Sequence, residues 1–288
     1  MRSNSHQATV SGHSAECPAV VQGRIGYRPS PYFTSPLLGA VLDRLVELHN
    51  WAIGDWLAVG SLLINLVLGT TVARRKLTQL RRRHRLRFLL PKDEVHLHIP
   101  SRDIGRHRHV VAQEDYEAAA VVQQVLARHG YRVGLRYVSP EGQIDLEPDA
   151  SNVVICGPKN SPVVHELFQT LPDLRFIKED ALWFFQDLQT GNRLISPMDQ
   201  EPKMDGDLAF LGRVRLPRMG QTPVLLICGI HALGSLGIAT FLESEAQLDH
   251  LMTTVEGQPF YTVIRSRHSA NHQRILETDI YLNPRVFH

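Results

Sequence analysis

The chain has 288 residues, 43% hydrophobic and 21% charged, which suits a folded protein of one large domain or two small ones. The net charge of +2 hides an asymmetry: residues 1–92 hold 13 Lys/Arg against 4 Asp/Glu, and the remainder holds 18 against 25. The acidic remainder excludes a globular nucleic-acid binder, which needs a basic face, and three scattered cysteines exclude a disulfide framework or a zinc ribbon.

Residues 1–34 are rich in Ser, Gly, Pro and His without periodicity, so they read as a disordered tail. Over 35–50, Leu38, Leu42, Leu45 and Leu48 form a helical stripe behind Pro36, which predicts an amphipathic helix. Trp56–Ala73 carries no charged residue and would span roughly 27 Å as a helix, near the thickness of a bilayer core. It is expected to be a single transmembrane helix. Arg74–Arg87 then holds eight Lys/Arg and no acid. The positive-inside rule would make this a single-pass protein of the cell membrane, with its C-terminal side cytoplasmic. Residues 74–92 form a basic juxtamembrane linker in this reading, available to anionic lipid or to the acidic domain. The expected partners are the membrane, a nucleotide-like small molecule and, through the membrane helix, a second copy of the chain. Nucleic acid is not among them.

Residues 93–288 read as a cytoplasmic α/β domain. Glu94–Ile99 alternates as a strand, Gln113–His129 has a helical apolar face, and Arg132–Val138 is the next strand. Asn152–Cys156 and Val224–Cys228 are short apolar runs suited to strands buried on both faces. Each leads through a loop into a helix, over Val163–Leu171 and Ser235–Glu243. Short strands around a turn at Gly191-Asn192, a strand over Asp207–Leu216, and two closing strands over Phe260–Ser266 and Glu277–Leu282 complete the chain. The pattern predicts a Rossmann-like α/β fold, a mainly parallel sheet with helices on both faces, preceded by the transmembrane helix.

Two loops should meet at the carboxyl edge of that sheet, where such folds bind ligands. Gly229-Ile-His-Ala-Leu-Gly234-Ser235-Leu-Gly237 lies between a buried strand and a helix, and its N–H groups could cradle an anion. The Lys of a P-loop is missing after Gly234, so NTP hydrolysis of that kind is not expected. The other loop, Gly157-Pro-Lys159-Asn160-Ser161-Pro, could place a cation over the same ligand, with Ser161 as a natural N-cap. Ser101 and Arg102 end the first strand, where Arg could clamp a phosphate. His231 is the residue to test as an acid or base. Asp205-Gly206-Asp207 reads as a turn with solvated acids. No metal-ligand pattern is assigned, and the sequence names no cofactor.

The layout of a membrane helix followed by strand-GPKNSP-helix resembles bacterial nucleotide-sensing modules of the TIR and SLOG kind, over residues 93–288. The TIR resemblance implies a catalytic Glu on a helix shortly after a loop Ser, here Glu166 after Ser161. Val163 and Val164 stand where the aromatic residue of that pattern would fall, and the GGxxGxM loop of SLOG domains has no counterpart. Three readings stay open: a sensor or signalling module that binds a phosphate-bearing ligand, a nucleosidase or NAD-cleaving hydrolase using Glu166 and His231, and a structural or protein-interaction module.

Overall fold

The computed structural model describes residues 36–103, 109–219, 222–271 and 274–286; the tail expected over 1–34 lies outside them. The chain divides into two units, Met1–Val67 and Leu68–His288. What is described of the first is helical, the start of α1 (Pro36–Leu89). The two helices and the linker expected over 35–92 are therefore largely one element. The only breaker between the expected helices is Gly54, and a lone glycine costs a helix about 1 kcal/mol. The Arg, Lys, Leu and Gln of residues 74–87 are good helix formers, which carries α1 through the expected linker.

Among the described residues no helix is long and apolar enough to cross a membrane. This overturns the transmembrane helix expected at 56–73, and with it the single-pass placement with a cytoplasmic C-terminal domain. The uncharged run between Asp55 and Arg74 reaches about 27 Å, less than the ~30 Å of a bilayer core. Ser61, Asn65, Thr70 and Thr71 dilute it further.

In the second unit α1 ends inside the fold. Leu86, Leu89 and Leu90 are buried in the larger core cluster. Arg83 and Arg87 pair with Asp93 at 3.1 and 3.3 Å, and Arg85 pairs with Asp249. Part of the expected basic linker is thus a packed helical end.

The strands are β1 (Glu94–Pro100), β2 (Arg102–Asp103), β3 (His109–Val110), β4 (Arg132–Val138), β5 (Ser151–Ile155), β6 (Leu174–Glu179), β7 (Leu182–Asp187), β8 (Arg193–Ile195), β9 (Gly206–Arg215), β10 (Pro223–Gly229), β11 (Phe260–His268) and β12 (Ile275–Val286). The helices after α1 are α2 (Gln113–Arg128), α3 (Pro162–Thr170), α4 (Ala232–Glu243) and α5 (Glu245–Val255), with a 3-10 turn at Pro197–Asp199. The main sheet has seven strands in the order β12-β11-β9-β10-β5-β1-β4. The block β10-β5-β1-β4 is parallel, and β9, β11 and β12 each pair antiparallel with the strand before them in space.

The expected mainly parallel sheet is corrected to a mixed one, and chain length explains the difference. A parallel pair needs a crossover of a dozen or more residues. Only residues 216–222 join β9 to β10, and only residues 269–274 join β11 to β12, so both connections are hairpins.

The two faces of the sheet carry different covers. One packs against α2, α4, α5 and the end of α1, through residues such as Val122, Phe241 and Leu251. The other packs against α3 and a small sheet, β6-β7-β8, through Phe168, Phe176 and Phe185. Phe168 meets the rings of Phe176, Phe185 and Phe210 at centroid distances of 4.9 to 5.7 Å. Helices on both faces was the expectation; on the second face a helix shares the cover with strands.

Candidate functional site

The order of the parallel strands creates a crevice. From β1 the chain crosses through α2 to β4 on one side, then returns to β5 on the other. The loop after β1 leads to α2 on one face and the loop after β5 to α3 on the other, the arrangement that opens a ligand crevice at the carboxyl edge of α/β sheets. Ile155 and Ile227 lie in register on β5 and β10, so the loops that follow run side by side. A Cβ on Gly157 would sit 3.3 Å from Cys228 Sγ and 3.7 Å from the Gly229 carbonyl oxygen.

Two cavities open here. The smaller, about 180 Å³, is lined by Arg102, Asp115, Gly157, Lys159, Asn160, Gly229, His231 and Ser235 among others. The larger, about 660 Å³, is lined by Ser101, Arg102, Pro158, Lys159, Asn160, Ser161, Pro162 and His165 among others. Arg102, Lys159 and Asn160 belong to both walls. Another cavity, about 380 Å³, lies at the opposite edge of the sheet between Leu171, Arg213 and Pro223; no acid or histidine lines it.

Lys159 is held in place. Its Nζ donates to the Ile230 carbonyl oxygen at 2.5 Å and lies 5.4 Å from the centre of the Trp183 ring. Burial of its ammonium end lowers its pKa, against the opposing pull of Asp207 and Asp199. Asp115, in the first turn of α2, is buried in the wall of the smaller cavity. Burial raises its carboxyl pKa to about 6, while Arg102 draws it back down. Among the described residues none hydrogen-bonds to that carboxyl.

The glycine-rich loop departs from expectation. Its anion is already present in the chain, and it is Asp207. One carboxylate oxygen of Asp207 accepts the N–H groups of His231 at 3.0 Å and Gly234 at 2.7 Å, and the other accepts that of Leu208 at 2.8 Å. Asp207 is fully buried, and burial pushes its pKa up. The solvated turn expected at 205–207 is corrected accordingly. The N-terminus of α4, with its positive dipole end, takes this carboxylate where a phosphate was expected. Gly234 is required for it, since a Cβ there would lie 2.7 Å from the Asp207 carboxylate. Gly237 packs against β11, where a Cβ would lie 2.5 Å from that of Ser266, and lies outside both cavities. Gly229 is equally close-packed, and its N–H donates to Ser235 Oγ at 3.3 Å.

The two other serines also serve the fold. Ser101 Oγ donates to the Val138 carbonyl oxygen and Ser161 Oγ to that of Gly142, each at 2.7 Å. Ser161 is at the N-cap position of α3 with Pro162 after it, as expected, but its side chain makes no cap bond. Glu166 faces away on α3, paired with Arg218 at 3.1 Å, and lines neither cavity. The structure therefore does not bring Glu166 and His231 together.

His231 has a different partner. Its Nε2 lies 2.7 Å from Asp199 Oδ2, at the 3-10 turn that precedes β9. The sequence reading missed Asp199 and Asp115. Asp199 is 32 residues from His231 with no motif to join them, whereas Asp115 had a readable sign, an acid in the first turn of a helix that follows a sheet-edge loop.

Comparison with known proteins adds no relative: no family model matches the chain, and neither a curated protein nor a solved structure matches it significantly.

Proposed function

We propose that the α/β unit binds a small phosphate-bearing ligand, of nucleotide type, in the crevice between the loops after β1 and β5, and acts as a sensor or signalling module. The observation that carries this reading is the sharing of Arg102 and Lys159 by both cavities. A ligand that occupies both would place its anionic group where the cavities meet, between two cations. The NAD-cleaving alternative would have to run through residues other than Glu166, which is outside the crevice.

The test is a thermal-shift series on the full chain with inorganic phosphate, AMP, ADP and NAD. A ligand at 100 times its dissociation constant adds about 2.7 kcal/mol of stability. The expected result is a rise in melting temperature with at least one nucleotide. Arg102→Ala and Lys159→Ala should abolish it, and Lys203→Ala, at an exposed position outside the crevice, should keep it. No shift with any of the four, or equal shifts in all variants, removes the site.

A further inference from the structure

The smaller cavity holds more than anion-binding groups. His231 is fixed at two points by two elements. Its main-chain N–H is bound by Asp207 of β9 at 3.0 Å, and its ring by Asp199 of the 3-10 turn at 2.7 Å. With Nε2–H donated to Asp199, the ring has its lone pair on Nδ1, ready to accept a proton. Asp115 stands in the wall of the same cavity, 8% exposed, and no described residue hydrogen-bonds to its carboxyl. An acid whose pKa burial raises, in a cavity wall that also holds two cations, is the setting in which acid–base groups are found. Arg102 and Lys159 complete the wall.

We propose that this cavity is a phosphoester-hydrolysing centre in which His231, positioned by Asp199, takes a proton from the attacking water and Asp115 gives one to the departing oxygen. The proposal rests on the phosphate-binding reading above. The water oxygen forms a bond to phosphorus as the bond from phosphorus to the bridging oxygen breaks, and that electron pair leaves with the alcohol. Arg102 and Lys159 balance the charge on the non-bridging oxygens. The products are an alcohol and phosphate. His231 then loses its proton to solvent and Asp115 regains one, so no oxidant or further reactant is needed. Among the described residues, the charged groups around His231 are Asp199, Asp207 and Lys159, and those around Asp115 are Arg102 and Glu114. Burial raises the Asp115 carboxyl pKa to about 6, so it keeps a proton to give at a higher pH than an ordinary carboxyl does.

The experiment follows the full chain with p-nitrophenyl phosphate, whose leaving group needs no proton, and phenyl phosphate, whose leaving group benefits from one. His231→Gln should lose 100-fold or more in kcat on both, within the range of general acid–base catalysis. Asp115→Asn should lose a similar factor on phenyl phosphate and much less on p-nitrophenyl phosphate. Asp199→Asn should lower kcat with little change in KM and alter the pH profile, as a positioning residue would. Inorganic phosphate should still raise the melting temperature of all three variants, which shows that they fold and bind. Absence of turnover in the wild-type chain while phosphate still stabilises it would overturn the hydrolytic assignment and leave the binding reading in place. Absence of stabilisation of the wild-type chain by phosphate and by all three nucleotides would overturn both. Equal turnover in wild type and His231→Gln would remove His231 from the chemistry.

Discussion

At the scale of single residues, Asp115 sits where burial disfavours its charged form. Its pKa in the folded chain, about 6, is above the ordinary 3.8, so the folded state holds the proton more tightly than the unfolded chain does. Its contribution to stability is therefore fully present below about pH 4 and is lost as the pH rises toward 6. Asp115→Asn removes this dependence. Against wild type, the variant should gain on the order of 3 kcal/mol between pH 4 and pH 7, from a shift of about two pKa units at 1.36 kcal/mol each. Denaturant unfolding of both proteins at the two pH values measures it, and parallel pH curves would refute the assignment. Little of this was legible in the sequence, because the helix start at Gln113 could be read but burial of the acid two residues later could not. Lys159 shows the opposite case. It was expected to place a charge over the same ligand as the glycine-rich loop, which lacks the lysine of a P-loop, and it lines both cavities beside that loop.

At the scale of elements, the junction of β9 with α4 decides what the glycine-rich loop can do. Asp207 binds three main-chain N–H groups, two of them from the start of α4. Asp207→Asn would turn an NH2 group toward some of those donors and leave them unpaired. The expected cost is about 1–3 kcal/mol, read as a lower denaturation midpoint in urea. The same change should loosen the backbone anchor of His231, so phosphate binding should survive better than any turnover. A wild-type midpoint would mean that the donors find other partners. The loop after β5 has a comparable anchor. Gly142 has φ of +80°, and a Cβ there would lie 2.4 Å from the Asn160 carbonyl oxygen. The turn at Gly142 thus holds the loop that carries Lys159, a contact between segments 18 residues apart that local patterns do not reveal.

At the scale of the whole molecule, the boundary of the α/β unit lies earlier than composition suggested. Residues 74–92 were read as a linker because eight basic residues dominate Arg74–Arg87. Three leucines near the end of this segment, Leu86, Leu89 and Leu90, are buried in the larger core, while Leu77 and Leu80 are exposed. Leu86→Ala should therefore cost about 2–5 kcal/mol, the range for a buried leucine. A chain starting at residue 93 should melt well below one starting at residue 68, and equal melting temperatures would return the segment to linker status. The exposed Leu62, Ile64, Leu66 and Val67 belong to the first unit, and the apolar run they form reads the same in the sequence as in the helix.

The sequence by itself determined the order of most elements of the α/β unit, because buried strands and amphipathic helices have different periods and their loops hold glycine and proline at the turns. It also placed Arg102, Lys159, Asn160 and His231 at one edge of the sheet, since loops that follow parallel strands share that edge. It did not place α5, nor reveal that the sheet is half antiparallel. Only the tertiary structure decided which partner each group takes. Asp207 fills the α4 terminus, Asp199 holds His231, and Arg218 draws Glu166 away, because partners brought together by folding lie 24 to 52 residues apart along the chain, beyond the reach of any local pattern.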